Sequence, residues 1–305
     1  MTPHTRARFP LVRTRSLGAF RIHAIEAGLQ RLDGGAMFGV VPKPLWEKRI
    51  PADERNRIPL ALRCLLAETS DALVLIDNGA GNKENEKFRE IYGIENEPST
   101  TIAAPAGFPT RLEEGLASIG FTTDDVDVMI DTHLHFDHAG GNTFFDAEGN
   151  IRLSFPRARY IVQRGEWHWA HVKNERIAAS YLPHNFDPVE QAGRFAFVDG
   201  ETEIVPGVTV RPTPGHTPHH QSVILRSDDE TAIFLADVVP TSAHLPLPWC
   251  MGYDVEPLVT LESKRTLYEQ ARRENWLLVF EHDPAVAWGR LDPASQRPVL
   301  LTESD

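Results

Sequence analysis

One short segment of this chain carries a high density of metal-binding side chains. Residues 131–141 read DTHLHFDHAGG and directly follow the apolar run 126–130, which we interpret as a buried strand. Imidazole and carboxylate groups are ligands that zinc favours, and a short loop can direct several of them at one point. Packing does not explain three histidines and a carboxylate within six residues, so the segment predicts a metal site. Its candidate ligands are His133, His135, Asp137 and His138.

Three more candidate ligands stand after other segments that we interpret as strands. In layered α/β folds the C-terminal ends of strands can lie along one edge, which is the usual place for a ligand site. We therefore expect residues that are far apart in the sequence to converge there. They are His216 after residues 208–212, Asp237 after residues 232–236, and His282 after residues 276–280.

The fold class follows from the order of the predicted elements. Runs of strand length dominate, and helical spacing appears between them over residues 110–119, 165–172 and 257–273. Residues 17–38 alternate apolar and polar side chains around Gly28 and a Gly34-Gly35 break, which predicts paired strands. Interleaved strands and helices predict a layered α/β architecture.

No linker rich in proline, glycine or serine divides the chain, so we predict a single domain over residues 17–305. The preceding residues 1–16 include four arginines and no acidic residue. No apolar stretch follows them to form a secretory signal. We predict a flexible basic arm there, and a cytoplasmic protein.

Charge and composition exclude several classes of function. The formal net charge is −12. A groove that binds the phosphate backbone of a nucleic acid normally carries a surplus of lysine and arginine, so nucleic-acid binding is disfavoured. No segment has the roughly 20 consecutive apolar residues of a membrane-spanning helix. The two cysteines, Cys64 and Cys250, are too few for a disulfide scaffold and are predicted to be reduced.

The ligand pattern resembles the metallo-β-lactamase superfamily over nearly the whole chain. The likeness is carried by HLHFDH at residues 133–138, by PGH at residues 214–216, and by the later Asp237 and His282. The resemblance implies a four-layer αββα sandwich. It also implies that Asp77, in LIDNG, orients the metal-binding loops.

The resemblance further implies a site with two zinc ions. His133, His135 and His216 would bind one ion, Asp137, His138 and His282 the other, and Asp237 would bridge the two. Such a pair lowers the pKa of bound water from 15.7 to about 7, so a bridging hydroxide can serve as the nucleophile. Asp137 would return a proton to the leaving oxygen. Manganese, cobalt or iron also suits nitrogen and oxygen ligands.

Within the superfamily, the chain resembles the N-acyl-homoserine lactonase group and the methyl-parathion-type hydrolases. The likeness lies in residues 37–46, 63–66 and 240–245. It implies hydrolysis of a lactone or related ester with an apolar tail, which makes quorum quenching the predicted role. Organophosphate triester hydrolysis is the alternative. A nuclease and a metal-binding protein without catalysis are the remaining alternatives.

Residues outside the ligand pattern bear on the substrate. Met37, Phe38, Trp46, Trp249 and Tyr253 are candidates for an apolar wall, with core packing as the alternative for each.

Two positions depart from the lactonase pattern. Pro240 stands where short lactonases carry a tyrosine, so Tyr181, Tyr253 or His244 is the candidate replacement. His219 stands where glycine is common.

The expected partner is a small molecule with an apolar tail. A homodimer through the β-rich N-terminal region is a further expectation.

Overall fold

The computed structural model describes residues 10–100, 109–295 and 297–302. These residues form two seven-stranded sheets and one two-stranded ribbon. The strands in chain order are β1 Val12–Leu17, β2 Phe20–Asp33, β3 Arg57–Glu68, β4 Leu73–Ile76, β5 Val128–Ile130, β6 Thr143–Phe145, β7 Ile151–Leu153, β8 Arg159–Gln163, β9 Phe195–Val198, β10 Thr202–Val205, β11 Val208–Pro212, β12 Gln221–Ser227, β13 Glu230–Phe234, β14 Leu277–Val279, β15 Trp288–Leu291 and β16 Leu300–Thr302.

The helices are short apart from the last one. They are α1 Gly34–Phe38, α2 Lys43–Trp46, α3 Glu86–Tyr92, α4 Arg111–Ser118, α5 Phe136–Ala139, α6 Arg164–Ala170, α7 Asp187–Gln191 and α8 Pro257–Arg273. Short 3-10 turns cover Thr123–Asp125, Gly140–Asn142, Pro183–Asn185, Ala236–Val238 and Ser242–His244.

The first sheet has the order β1-β2-β3-β4-β5-β8-β9, and the second runs from β10 to β16 in sequence order. The first sheet is antiparallel at its N-terminal edge and parallel from β4 to β9. In the second sheet only the β13–β14 pair is parallel. A parallel pair needs a crossover connection, and α8 lies in the connection between β13 and β14.

The main core lies between the two sheets. Side chains such as Ile22 and Val74 from the first sheet pack with Val223 and Phe234 from the second, and all are buried. Helix α4 covers the outer face of the first sheet, and α8 covers that of the second. The result is the predicted αββα sandwich.

Most of the predicted elements are confirmed with small shifts at their ends. The predicted helix over residues 110–119 is α4, which begins after a capping box made by Thr110 and Glu113. The predicted helix over residues 257–273 is α8. Among the described residues, no helix combines the length and apolar character that crossing a membrane requires.

Two predictions for the N-terminal region are wrong in detail. Residues 12–16 belong to β1, which pairs with β2 from Val12↔Ile25 onward, so the predicted arm overlaps the sheet. Residues 1–9 of that arm lie outside the described residues. Gly28 does not separate two strands either. It lies inside the 14-residue β2, at a β-bulge, because a bulge absorbs an extra residue without ending the strand.

Candidate metal centre

The histidine-rich segment leaves the buried end of β5 and enters a helix. Strand β5 lies between β4 and β8 in the parallel part of the first sheet, so its C-terminal end points to one edge. His133 and His135 lie in the loop after β5, and Asp137 and His138 lie in α5. All four side chains are buried.

The glycines after this helix allow two loops to pack together. A Cβ atom added to Gly140 would lie 2.4 Å from the backbone oxygen of Ala80. Similarly, a Cβ added to Gly141 would lie 2.4 Å from the backbone oxygen of Asn78. Any larger residue would push the loop after β4 away from α5. Glycine at both positions therefore allows the close approach of the two loops.

The three remaining candidate ligands arrive from the second sheet. His216 lies in the loop after β11, Asp237 lies in the turn Ala236–Val238 after β13, and His282 follows β14. All three are buried beside the histidines of the first sheet. The structure therefore brings all seven residues that the sequence singled out to one place.

The ligand atoms form two groups in space. One group contains His133, His135, His216 and Asp237, and the other contains Asp137, His138 and His282, with ligand atoms within 4.8 Å of one another in each. Asp237 lies between them, since Oδ2 is 3.1 Å from Nε2 of His216 and Oδ1 is 3.1 Å from Nε2 of His282. The grouping matches the one that the family resemblance implies.

Carboxylates and a backbone carbonyl fix the orientation of these imidazoles. Nδ1 of His138 lies 3.1 Å from Oδ2 of Asp77, and Nδ1 of His216 lies 3.1 Å from Oδ1 of Asp254. Nδ1 of His282 lies 2.7 Å from the carbonyl oxygen of Ala61. An Nδ1–H that donates in this way leaves the lone pair of Nε2 directed at the cluster.

Asp77 holds the ligand loop as well as His138. Its Oδ1 accepts from the backbone N–H of Thr132 at 2.8 Å, and its Oδ2 accepts from the Thr132 hydroxyl at 2.7 Å. Thr132 directly precedes His133, so one carboxylate connects both parts of the segment. This geometry agrees with the orienting role predicted for Asp77.

Burial and charge set the protonation of the cluster. Burial, followed by the neighbouring His138, lowers the pKa of His133 well below its usual value of 6.5, which favours the neutral imidazole that binds metals. Burial also opposes the charged form of His282, but the carboxylates of Asp237 and Glu281 outweigh it and raise its pKa to about 9. A cation at this position would compete with that proton.

Three side chains that the sequence reasoning gave no role stand next to the cluster. Nε2 of His220 accepts from the backbone N–H of Asp237 at 3.1 Å. Oε2 of Glu281 lies 3.1 Å from Nδ1 of His138, and Gln30 donates to Asp137. Only Glu281 carried a sequence signal, because it is a charged residue directly before a candidate ligand at the end of an apolar strand.

A cavity of about 370 Å³ opens over the cluster. His135, His216, Asp137, Asp237 and His282 form part of its lining. Most of the other lining side chains are apolar, namely Leu32, Met37, Leu60, Phe136, Ile177, Ala179, Met251 and Val255. The remaining lining residues are Gln30, Tyr92, Arg176, Ser180, Gly252 and Tyr253.

The predicted apolar wall is correct for Met37 and Tyr253, which line the cavity. It is wrong for Phe38, Trp46 and Trp249, which take the alternative of core packing in a cluster that also contains the cavity residues Met37 and Leu60. The Phe38 ring stacks on Trp46 with 5.3 Å between centroids, and Trp249 meets it edge-on at 5.7 Å. Large aromatic rings bury more area in such a core than at a cavity surface.

Of the three candidates to replace the missing tyrosine, Tyr253 alone lines the cavity. The Tyr181 hydroxyl donates to the buried Glu166 at 2.8 Å. His244 is buried, with Nε2 2.8 Å from the carbonyl oxygen of Met37. Burial raises the pKa of Tyr253 to about 12, so its hydroxyl keeps its proton at neutral pH. The exposed His219 lies over Gly165 and belongs to neither ligand group.

Comparison with known proteins supports the same family. The family model described as the Metallo-beta-lactamase superfamily matches residues 59–282. The N-acyl homoserine lactonase AiiA of Bacillus thuringiensis subsp. kurstaki is 29% identical over 229 residues, which cover 73% of this chain and 82% of that protein.

Solved structures agree in fold. A probable metal-dependent hydrolase from Staphylococcus aureus is 29% identical, with a TM-score of 0.84 over 95% of this chain and 99% of that one. AidC, described as a dizinc quorum-quenching lactonase, has a TM-score of 0.76 over 96% of this chain and 98% of its own, at 19% identity. The chain therefore belongs to the metallo-beta-lactamase superfamily and is a hydrolase.

Proposed function

We propose that this enzyme opens the ring of N-acyl homoserine lactones, using two zinc ions held by the seven clustered residues. The observation that carries the proposal is the position of the two ligand groups, which lie on either side of Asp237 at one side of a cavity whose other walls are largely apolar. The cluster suits a polar reacting group, and the walls suit an acyl chain. The likeness to AiiA supports the same substrate class.

The donor set fits zinc. Imidazole nitrogens and carboxylate oxygens are its usual ligands in proteins, and catalytic sites leave a position for water or substrate. Oδ1 of Asp237 is buried and makes no hydrogen bond of good geometry with the described residues; its neighbour at 3.1 Å is Nε2 of His282, itself a candidate ligand atom, as expected of two groups directed at one cation. His133, His135 and His216 would hold one ion and Asp137, His138 and His282 the other, with Asp237 between them.

Zinc bound there would supply Lewis acidity and lower the pKa of water toward neutrality. The chain supplies the remaining functions. Met37, Leu60 and Ile177 would hold the acyl chain in contact with apolar surface and exclude water from it. The Tyr253 hydroxyl would donate a hydrogen bond to the carbonyl oxygen as negative charge develops there. Asp137, which lines the cavity, would accept a proton from the attacking water and return it to the leaving oxygen.

The competing functions differ in the substrate that they require. A phosphotriester is neutral and would also fit an apolar cavity, so organophosphate hydrolysis is the second candidate. A nucleic-acid substrate suits the cavity less well, because Arg176 is the single lysine or arginine among its described lining residues.

The test is a panel of initial rates with zinc-loaded protein. The substrates are short- and long-chain N-acyl homoserine lactones, phenyl acetate, a nitrophenyl phosphotriester and a short RNA. We expect the lactones to give the highest kcat/KM and chelation to abolish that activity. A higher kcat/KM for the phosphotriester would favour the second candidate, and lactone hydrolysis that survives chelation would overturn the proposed mechanism.

A further inference from the structure

Gln30 contributes to the centre from a part of the chain that lies before the family-matched segment 59–282. It is fully buried in β2, and its Nε2 donates to Oδ2 of Asp137 at 2.5 Å. Among the described residues, this is the one hydrogen bond made by the Asp137 side chain. Both residues line the same cavity.

A bulge in β2 directs Gln30 to this position. Side chains alternate between the two faces of a strand, so Ala24 and Gln30 would share a face in a regular strand. The pairing with β3 shifts by one residue between Glu26 and Leu29, which reverses the alternation. Ala24 therefore packs in the core between the sheets, whereas Gln30 lies opposite Leu60, another cavity residue.

The Gln30 amide restrains a carboxylate that has few other restraints. Oδ1 of Asp137 lies 3.8 Å from Nε2 of His138, and Oδ2 lies 3.7 Å from Nε2 of His282, both beyond hydrogen-bond distance. Without Gln30, the carboxylate could turn about its Cβ–Cγ bond toward the cavity. An amide donor prevents this without adding a positive charge that would repel a cation.

We infer that Gln30 is a positioning residue, which fixes the Asp137 carboxylate for the ion held by Asp137, His138 and His282. This inference rests on the metal centre of the proposed function. Partners that orient metal ligands typically change metal affinity or activity by 10- to 100-fold when they are removed. Gln30 contacts only the ligand group that contains Asp137. Its loss should therefore lower the affinity for one of the two ions and leave the affinity for the other unchanged.

The test compares Gln30→Met with the wild-type protein. Methionine has a similar length and removes the amide donor. Metal-free protein is titrated with zinc in competition with a fluorescent chelator, so that two binding steps are resolved without any substrate. Leu29→Ala is the matched control, because this neighbour in β2 is not among the cavity residues. Thermal unfolding of each metal-free variant verifies that it folds.

We expect Gln30→Met to lower the affinity for one zinc ion by 10- to 100-fold and to leave the affinity for the other within threefold of wild type. The kcat for a lactone should fall by a similar factor, with KM within threefold, whereas Leu29→Ala should bind zinc like the wild type. A variant that lost only packing would instead bind both zinc ions more weakly. Gln30→Leu provides the same comparison if the methionine variant does not fold.

The inference would be overturned if the folded variant bound two zinc ions with wild-type affinity. It would also be overturned if the affinity for both ions fell equally. A wild-type protein that binds only one equivalent would overturn it too. That last result would also overturn the two-zinc centre of the proposed function, whereas the other results do not depend on the proposed substrate. If wild-type protein binds two zinc ions but hydrolyses no lactone, the proposed substrate is wrong, and the zinc titration still decides the role of Gln30.

Discussion

His220 accepts a hydrogen bond through Nε2 from the backbone N–H of Asp237, at 3.1 Å. Its Nδ1 lies 3.1 Å from the carbonyl oxygen of Thr213, so that nitrogen carries the proton and the imidazole is neutral. Ala236, directly before Asp237, has a left-handed backbone with φ of 47°, which is unfavourable for alanine. The imidazole thus helps to hold a strained turn that carries the shared carboxylate.

Replacing His220 with alanine should impair the centre although His220 is not a candidate ligand. The change leaves the buried N–H of Asp237 without its acceptor and opens a cavity beneath the turn. We expect zinc affinity and lactone kcat/KM to fall by about 10- to 100-fold. Chelator competition and initial rates measure the two effects.

His219→Ala is the matched control for this prediction. His219 is the neighbouring histidine, but its side chain is exposed and lies over Gly165. We expect zinc affinity and kcat/KM to stay within twofold of wild type. If the two variants lost activity to the same extent, the role assigned to the His220–Asp237 hydrogen bond would be wrong.

The candidate ligands could be predicted from the sequence because metal binding requires particular side chains after particular strands. His133, His216 and His282 each follow a predicted strand, and the two sheets bring those strand ends together. Their supporting residues could not be found in this way. Any hydrogen-bonding side chain can orient a ligand, and Gln30 reaches Asp137 only because a bulge reverses the alternation of β2.

The walls of the cavity were harder to predict than the cluster. An apolar side chain serves a core and a cavity equally well, so composition alone does not separate Met37 from its neighbour Phe38. The backbone decides between them. Helix α1 directs Met37 to the cavity and Phe38 to a stack with Trp46 and His244, at a centroid distance of 4.3 Å from the histidine.

Tyr253→Phe tests the proposed donor to the substrate carbonyl. Tyr253 is 41% exposed and lines the cavity, so the variant should fold and bind zinc normally. Loss of one such donor typically lowers kcat by about 100- to 1000-fold. Stopped-flow or steady-state rates on one lactone give kcat and KM separately. An unchanged kcat would assign the role to another group, such as Tyr92.

Arg63 should be important for stability, because it joins β3 to the loop that carries His282. Its buried guanidinium pairs with Glu26 at 2.5 Å and donates to the carbonyl oxygens of Phe280 and Asp283. Arg63→Leu leaves the Glu26 carboxylate buried without its partner. Such changes lower the free energy of unfolding by about 3–5 kcal/mol. Urea denaturation of metal-free protein measures the loss.

A double variant shows whether the unpaired charge causes that loss. Removing both groups in Arg63→Leu with Glu26→Leu eliminates the buried carboxylate along with the guanidinium. We expect the double variant to be more stable than the single one, although the lost carbonyl contacts keep it below wild type. Equal stability of the two variants would show that the contacts to Phe280 and Asp283 account for the whole effect.

The pH dependence of stability should reveal the buried His244. Burial is the main reason that its pKa falls from 6.5 to about 3, and the nearby Lys264 lowers it further. Below pH 6.5 the unfolded chain takes up a proton that the folded protein does not, so stability decreases as pH falls from 6.5 toward 3. One such group contributes about 1.4 kcal/mol per pH unit within that window.

The comparison with His244→Gln isolates this contribution. Glutamine does not titrate, and it can still donate to the carbonyl oxygen of Met37, which the His244 ring contacts at 2.8 Å. Other groups, such as His220, titrate in both proteins and cancel in the difference. Between pH 7 and pH 5, wild type should lose about 2 kcal/mol more than the variant in urea denaturation with chelator present. Parallel losses would mean that His244 is protonated in the folded protein as readily as in the unfolded chain.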